Sequence, residues 1–197
     1  GNTGLNGGTH SDGAISISME RMNKIVEVRS SSKLAIVEAG VILSNLHQVA
    51  NENDLMFPLT FGARGSATIG GVLSTNAGGS NVLKYGNTRD LVLGVEMVLP
   101  DGEIMNLMSE LHKDNSGYCL RDLVIGAEGT LGIITKAVVK LFPKPKAYAT
   151  AMIAVKCLDS ALDLLNKLQD GTGGAVSAYE YMPKGYIQGH MELSSSS

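Results

Sequence analysis

Glycines and small polar residues crowd the stretch from Pro58 to Gly86, PLTFGARGSATIGGVLSTNAGGSNVLKYG, where an ordinary core would place bulk. Main chain stripped of side chains over that length can lie directly against a large flat ligand. Glycine also reaches positive φ at little cost, so amide N–H groups can converge on an anion. A second cluster, Gly1-Asn2-Thr3-Gly4-Leu5-Asn6-Gly7-Gly8-Thr9, opens the chain, and a third, Gly126-Ala127-Glu128-Gly129-Thr130-Leu131-Gly132, follows an apolar, strand-like run. Three clusters together point to one extended, phosphate-bearing cofactor. Each alone reads sooner as an ordinary turn, its Ser, Thr and Asn residues capping the backbone. His10, His47, His112 and His190 show no i, i+4 pair or other metal-ligand spacing, so no metal site is read here.

The elements that must position these clusters follow from hydrophobic period. Alternation predicts a half-buried strand over Ala14 to Met19, and two more over Ile25 to Val28 and Leu34 to Ala39, with Ser30 to Ser32 turning between the latter pair. After Gly40, the spacing of Leu43, Leu46, Val49 and Ala50 predicts a helix, with Ser44 and Asn45 available to cap it and an end near Asn51 to Asp54. His47 rides on this helix, facing solvent. Leu91 to Leu99 and Ile104 to Leu107 form a hairpin around Pro100-Asp101-Gly102-Glu103. Leu120-Leu123-Val124-Ile125 leads into the third cluster, and Ile133 to Phe142 reads as a strand. Pro143-Lys144-Pro145-Lys146 is a stiff break of the kind that separates domains. Beyond it come a strand over Ala149 to Val155 and an amphipathic helix over Ser160 to Leu168. The division is residues 1–145, then 146–193, then a serine tail at 194–197.

Composition excludes several classes of function. The net charge of -3 comes without any Lys/Arg cluster, which argues against a nucleic-acid binder. No apolar run approaches the roughly 20 residues that span a bilayer, and no leader pattern is visible; this points to the cytoplasm, or to an organelle matrix in a eukaryote. Cys119 and Cys157 lie far apart, outside any CxxC spacing, and read as small buried hydrophobes in a reducing compartment. A chain that starts within a glycine loop, with no strand before it, reads as part of a longer protein.

GNTGLNGG, PLTFGARGSATIGGVLSTNAGG followed by KYG, KDNSGY, IGAEGTLGIIT and KLFPKP, in that order, resemble the FAD-linked oxidases and dehydrogenases of the vanillyl-alcohol oxidase superfamily. The D-2-hydroxyacid dehydrogenase branch is the nearest. The resemblance implies an α+β architecture: a PCMH-type, two-lobed FAD-binding domain, its N-terminal lobe truncated here, followed by the start of an α+β cap domain. It implies that Asn2, Thr3, Gly4, Leu5, Gly7 and Gly8 form the pyrophosphate loop. Pro58, Gly62, Gly65, Ser66, Thr68, Ile69 and Gly70 would run along the ribityl and adenine side. Asn76, Ala77, Gly78 and Gly79 would make the tight turn against the cofactor, and Glu128, Gly129, Leu131, Gly132 and Ile134 the last contact strand. The hydroxyls and amide of Thr3, Ser66, Thr68 and Asn76 suit cofactor oxygens that would cost about 1–3 kcal/mol each if buried unpaired.

Lys113 to Tyr118 leans toward the D-2-hydroxyglutarate dehydrogenase subgroup, although Asp114 to Gly117 could equally be a turn bonded to its own backbone. Cys119, where Asp is commoner, and Val72, where Asn is commoner, depart from the pattern. His10 is off the placement used for covalent flavin attachment, so noncovalent FAD is expected. The implied reaction takes a D-2-hydroxy acid to its 2-oxo acid, with electrons passing to a quinone or a flavoprotein, and a homodimer is compatible with it. The branch carries its base, its carboxylate-binding cations and, in several members, a divalent metal on the cap, beyond the residues here. No catalytic residue is therefore assigned, and Arg64, Arg89 and Lys84 stand as charge partners or as solvated cations. An oxygen-using sugar or alcohol oxidase, and a noncatalytic FAD-binding electron-transfer subunit, are the alternatives.

Overall fold

The computed structural model describes residues 1–195, and the side chains of all of these except Ser195. Alternating apolar residues build an antiparallel sheet from β1 (Ile25–Arg29), β2 (Leu34–Glu38), β4 (Val92–Val98), β5 (Ile104–Leu107) and β6 (Ile133–Lys140), in the spatial order β1-β2-β6-β4-β5. Register places Val37 opposite Ala137, Ala137 opposite Val95 and Val95 opposite Leu107, so one row of apolar side chains crosses four strands. Because side chains alternate along a strand, that row and the residues two positions away on each strand face the same side. There α1 (Leu43–Glu52) lays down Leu46 and Ala50, and α2 (Ile69–Ser74) lays down Ile69, Val72 and Leu73, all within the buried core. Truncating a residue such as Leu46 to Ala at a site of this kind costs about 2–5 kcal/mol.

The opposite face carries a smaller apolar cluster of Leu34, Leu93 and Val138, with Ile36 and Met108 against it. Ion pairs border it: Arg29 holds Glu27 at 2.7 Å and also bonds Glu110, while Lys136 meets Glu96 at 3.1 Å. Two-residue strands β3 (Leu55–Met56) and β7 (Phe142–Pro143) pair at the side.

Short helices α3 (Val82–Tyr85) and α4 (Leu120–Val124) punctuate the loops, and α5 (Leu158–Thr172) and α6 (Lys184–Ser195) follow the sheet. Ala161 is the one buried residue of α5.

The strands over 25–28 and 34–39, the hairpin, the helix and its C-terminal limit are as the sequence predicts. Several expectations are corrected. Ala14 to Met19 and Ala149 to Val155 form no strand: alternation supplies the side-chain pattern, but a strand also needs a ladder partner, and Ile15 and Met152 stand 95% and 90% exposed. The run before the third cluster is the helix α4, since Leu120, Leu123 and Val124 also satisfy helical spacing. At α1 the N-cap is Ile42, with no side-chain cap bond, so neither Ser44 nor Asn45 caps the helix; Ile42 instead forms a β-bridge with Thr68. Both cysteines are exposed, because each sits just ahead of a helix rather than on an apolar face. His47 is half-buried, its Nε2 2.8 Å from the Leu59 carbonyl. Of the serine tail, Ser194 and Ser195 end α6; 196 and 197 lie outside the described residues.

Candidate functional site

The second cluster is the hub. Where the chain leaves β2, Ile69 N–H donates to Val41 O at 2.9 Å and Gly70 N–H to Ala39 O at 2.7 Å, while Leu43 N–H donates to Ala67 O at 2.9 Å. The segment 66–70 is thereby strapped to the end of the sheet. Ile69 and Pro58 are buried, and a Cβ on Gly70 would lie 2.8 Å from that of Ala39, so packing alone accounts for these three residue types. Gly62 and Gly65 differ: a Cβ on either would meet nothing within 4 Å, leaving bare main chain beside open space. Thr68, the N-cap of α2, makes no capping bond, which leaves its hydroxyl available to a ligand.

The first cluster reaches the hub at its first residue. Gly1 lies so close to Ser66 that an added Cβ would sit 2.3 Å from the Ser66 carbonyl oxygen. Asn2 adopts φ 50°, Thr3 is half-buried, and Gly4, Leu5, Gly7 and Gly8 turn outward into solvent.

The third cluster docks on the far end of α2. Gly126 N–H donates to Leu73 O at 3.0 Å and Glu128 N–H to Ser74 O at 2.9 Å. Glu128 and Gly129 both take positive φ and are exposed, as is Leu131, whereas Gly132 abuts Met97 and Val98 and Ile134 enters the core. Between these, the Asn76 to Gly79 turn is fastened twice: Thr88 Oγ1 donates to Ala77 O at 2.7 Å, and Arg89 N–H donates to Asn76 Oδ1 at 2.9 Å. The structure therefore brings the second and third clusters together at α2, while the first reaches them only through Gly1. Gly62, Gly65 and Gly129, with the Thr68 hydroxyl, present exposed backbone and polar groups with space beside them, a donor set that fits an extended dinucleotide.

The cations separate. Arg89 donates from Nη2 to Ile125 O at 2.6 Å, Lys84 lies 5.4 Å from the centre of the Tyr85 ring, and Arg64 lines an open cleft of about 520 Å³ with His47 and Lys144. Burial lowers the pKa of His47 against the Leu59 bond, and the Arg64 charge adds to the lowering.

Asp114 to Gly117 is a turn. The Asp114 carboxylate accepts from the Ser116 amide and hydroxyl, both of which hold it below the usual carboxylate range, and Gly117 takes φ 70°. This turn walls a half-open cleft of about 500 Å³ with Leu93, Met108 and Arg121. The Arg121 guanidinium is engaged by Leu93 O, Asp122 and Cys119 Sγ, so it offers that cleft no free fork. Sequence reading missed the fastening role of Thr88 and Arg89. Its one local signal is Asn87 and Asp90 at capping-box spacing around them.

Residues 1–108 match the FAD binding domain family. The chain belongs to that family. This FAD-binding domain is 40% identical over 184 residues to the mitochondrial D-2-hydroxyglutarate dehydrogenase of Rattus norvegicus, covering 92% of this chain and 34% of the relative. It is 41% identical over 160 residues to the D-2-hydroxyglutarate dehydrogenase of Xanthomonas citri, covering 81% and 34%. Against the D-2-hydroxyglutarate–pyruvate transhydrogenase of Saccharomyces cerevisiae the identity is 39% over 174 residues, covering 88% and 35%. Among solved structures it resembles alkyldihydroxyacetonephosphate synthase, with a TM-score of 0.60 at 30% identity over 68% of this chain and 24% of that one. The chain thus spans about a third of the length of the curated relatives it matches.

Proposed function

We propose that this chain is the FAD-binding part of a flavin-dependent dehydrogenase that oxidises a D-2-hydroxy acid, of the D-2-hydroxyglutarate type, to the 2-oxo acid. The observation that carries the reading is the docking of the third glycine cluster on α2 beside the second, with Gly1 of the first against Ser66, in a chain about 40% identical to enzymes of that name over most of its length. FAD, when bound, supplies the hydride acceptor. The chain's own contribution is to hold and orient: bare main chain at Gly62, Gly65 and Gly129 admits close approach, and the hydroxyls of Ser66 and Thr68 and the loop amides of residues 2–8 pair with polar oxygens. Asn76, Ala77, Gly78 and Gly79 set the turn that limits how far the cofactor can shift. Gly132 and Ile134 support this loop from the sheet, as Pro58, Ile69 and Gly70 support the second cluster.

FAD is held noncovalently in this reading, since His10 stands in the outward-turned part of the first loop. Residues 146–193, with α5 and most of α6, begin the cap. The base, the carboxylate-binding cations and a divalent metal belong to that cap; among the described residues no group of three His, Cys, Asp or Glu side chains is placed to hold a metal. Electrons leave to a quinone or a flavoprotein, and the enzyme works as a homodimer in an organelle matrix or the cytoplasm. Among the described residues no helix is long and apolar enough to cross a membrane.

The test is to purify the full-length protein, record its flavin spectrum, and offer D-2-hydroxyglutarate, D-lactate, D-malate and glycolate with an artificial dye acceptor. Bound flavin that bleaches with D-2-hydroxyglutarate supports the reading. Protein that purifies without flavin and gains no thermal stability from added FAD overturns it.

A further inference from the structure

We infer that Arg89 is a positioning residue of the cofactor site, a staple that sets the spacing between the Asn76–Gly79 turn and the Gly126–Gly132 loop. The inference rests on the FAD reading above and assigns a task to a residue that lies in neither glycine cluster.

Arg89 bonds both sides of the junction. Its backbone N–H donates to the Asn76 side chain at 2.9 Å, and its Nη2 donates to the Ile125 carbonyl at 2.6 Å, immediately before Gly126. Ile125 itself is fully buried, so its carbonyl is fixed by the core on one side and by the guanidinium on the other. The approach is close enough to dictate the neighbouring residue type. Gly126 has φ +89°, and a Cβ there would lie 3.0 Å from Arg89 Nη2 and 3.3 Å from Asn76 Cβ. An arginine, an asparagine and a glycine therefore interlock at one point where two glycine clusters meet.

The arginine is itself held from behind. The 3-10 turn Thr88–Leu91 is closed by a reciprocal capping box between Asn87 and Asp90, with Asn87 N–H donating to Asp90 Oδ2 at 2.8 Å. Thr88, next in the chain, is 1% exposed and anchors the turn to Ala77. A rigid turn, a planar fork and a charge-assisted bond to a carbonyl are what a spacer between two loops requires. Both loops carry residues in the left-handed region, Asn76 at φ 46° and Glu128 at φ 51°, conformations that persist only where surroundings over-determine them.

The experiment compares wild type, Arg89→Met and Arg89→Lys in the full-length protein by FAD titration, the visible circular dichroism of the bound flavin and apoprotein melting. Arg89→Met leaves the Ile125 carbonyl without its donor, so apoprotein melting falls modestly; at a temperature where both apoproteins are folded, FAD binding is expected to weaken by about tenfold and the visible circular dichroism of the bound flavin to change. Arg89→Lys, which can still donate to Ile125 O, restores most of the affinity and the wild-type flavin signature. Should Arg89→Met not fold, Gly126→Ala crowds the guanidinium while keeping its charge, and its conformational strain at φ +89° is common to the Arg89 and Arg89→Lys backgrounds, so only the difference between them reports on the staple. That variant is expected to lose affinity in wild type and much less in the Arg89→Lys background.

Equal FAD affinity in Arg89→Met and wild type overturns the inference. So does a loss that only follows apoprotein unfolding, and so does strict additivity of the two substitutions. Wild-type protein devoid of flavin removes the FAD reading and this inference together. Flavin-bearing wild type with an indifferent Arg89→Met removes the inference alone.

Discussion

Gly79 and Thr60 are in main-chain contact: a Cβ on Gly79 would lie 2.4 Å from the Thr60 carbonyl oxygen, the same oxygen that accepts the Ser80 N–H at 3.0 Å. The turn at the end of the second cluster is thus pressed against the strand-like segment that opens it, and neither backbone can retreat without breaking the Ser80 bond.

Gly79→Ala should therefore destabilise the apoprotein by about 1–3 kcal/mol, the cost of overpacking against a backbone atom. Chemical denaturation with the slope held constant measures it. A stability equal to wild type would mean that the segment relaxes freely and that the contact is not a constraint.

Two glycines of the third cluster should separate cleanly. Gly132 has φ +147°, and a Cβ there would lie 2.5 Å from the Val98 carbonyl oxygen, whereas Gly129 has φ +79° and open space around it. Gly132→Ala combines left-handed strain with a backbone clash, so it should be poorly folded. Gly129→Ala should lose only about 1–2 kcal/mol of apoprotein stability, from conformation alone. If Gly129 lies against the cofactor, the same substitution weakens FAD binding beyond that loss, which a titration at matched apoprotein stability would detect.

His47 gives the fold a pH dependence whose sign follows from its surroundings. Burial holds its pKa below the ordinary value of 6.5, and the Arg64 charge adds to this, against the opposing bond to Leu59. Well above pH 6.5 the imidazole is neutral folded or unfolded and contributes no slope. As pH falls below 6.5 the unfolded chain takes up the proton first, and stability declines until the folded-state pKa is passed. His47→Gln keeps a donor for the Leu59 carbonyl and should flatten that part of the profile in urea unfolding between pH 5 and pH 7.5. An unaltered slope would place the dependence elsewhere.

As an isolated chain of these 197 residues, the protein should self-associate. It exposes 12817 Å², against about 8,900 Å² expected of a compact monomer of this mass. Leu5, Ile15, Ile17, Met152 and Ile153 are among the exposed apolar residues. Light scattering at tens of micromolar would report it, and a stable monodisperse monomer would contradict it.

Much of the sheet was legible because β1, β2, β4, β5 and β6 satisfy period and turn chemistry at once. Ala14 to Met19 and Ala149 to Val155 carry the same alternation and form nothing, since period describes one strand and pairing takes two. Cys119 and Cys157 looked like core residues by type. Their place just ahead of α4 and α5 left them in solvent. His47 looked solvated by its helix position, but the chain returning through Leu59 covered it.

What the amino-acid order determined by itself was the presence of three runs of nearly bare main chain and of the strands between them, because side-chain volume and alternation are local properties. What only the tertiary structure decided was that the second and third runs meet at α2, and that Arg89, 13 residues from Asn76 and 36 from Ile125, joins them. Hydrogen bonds from a side chain to a distant carbonyl depend on where the sheet returns the chain. The chain between β5 and β6 packs back on β4 and α2, through Arg121 bonded to Leu93 O and Gly126 N–H bonded to Leu73 O, and so brings Ile125 within reach of Arg89, a proximity that residue types and spacing along the chain do not encode.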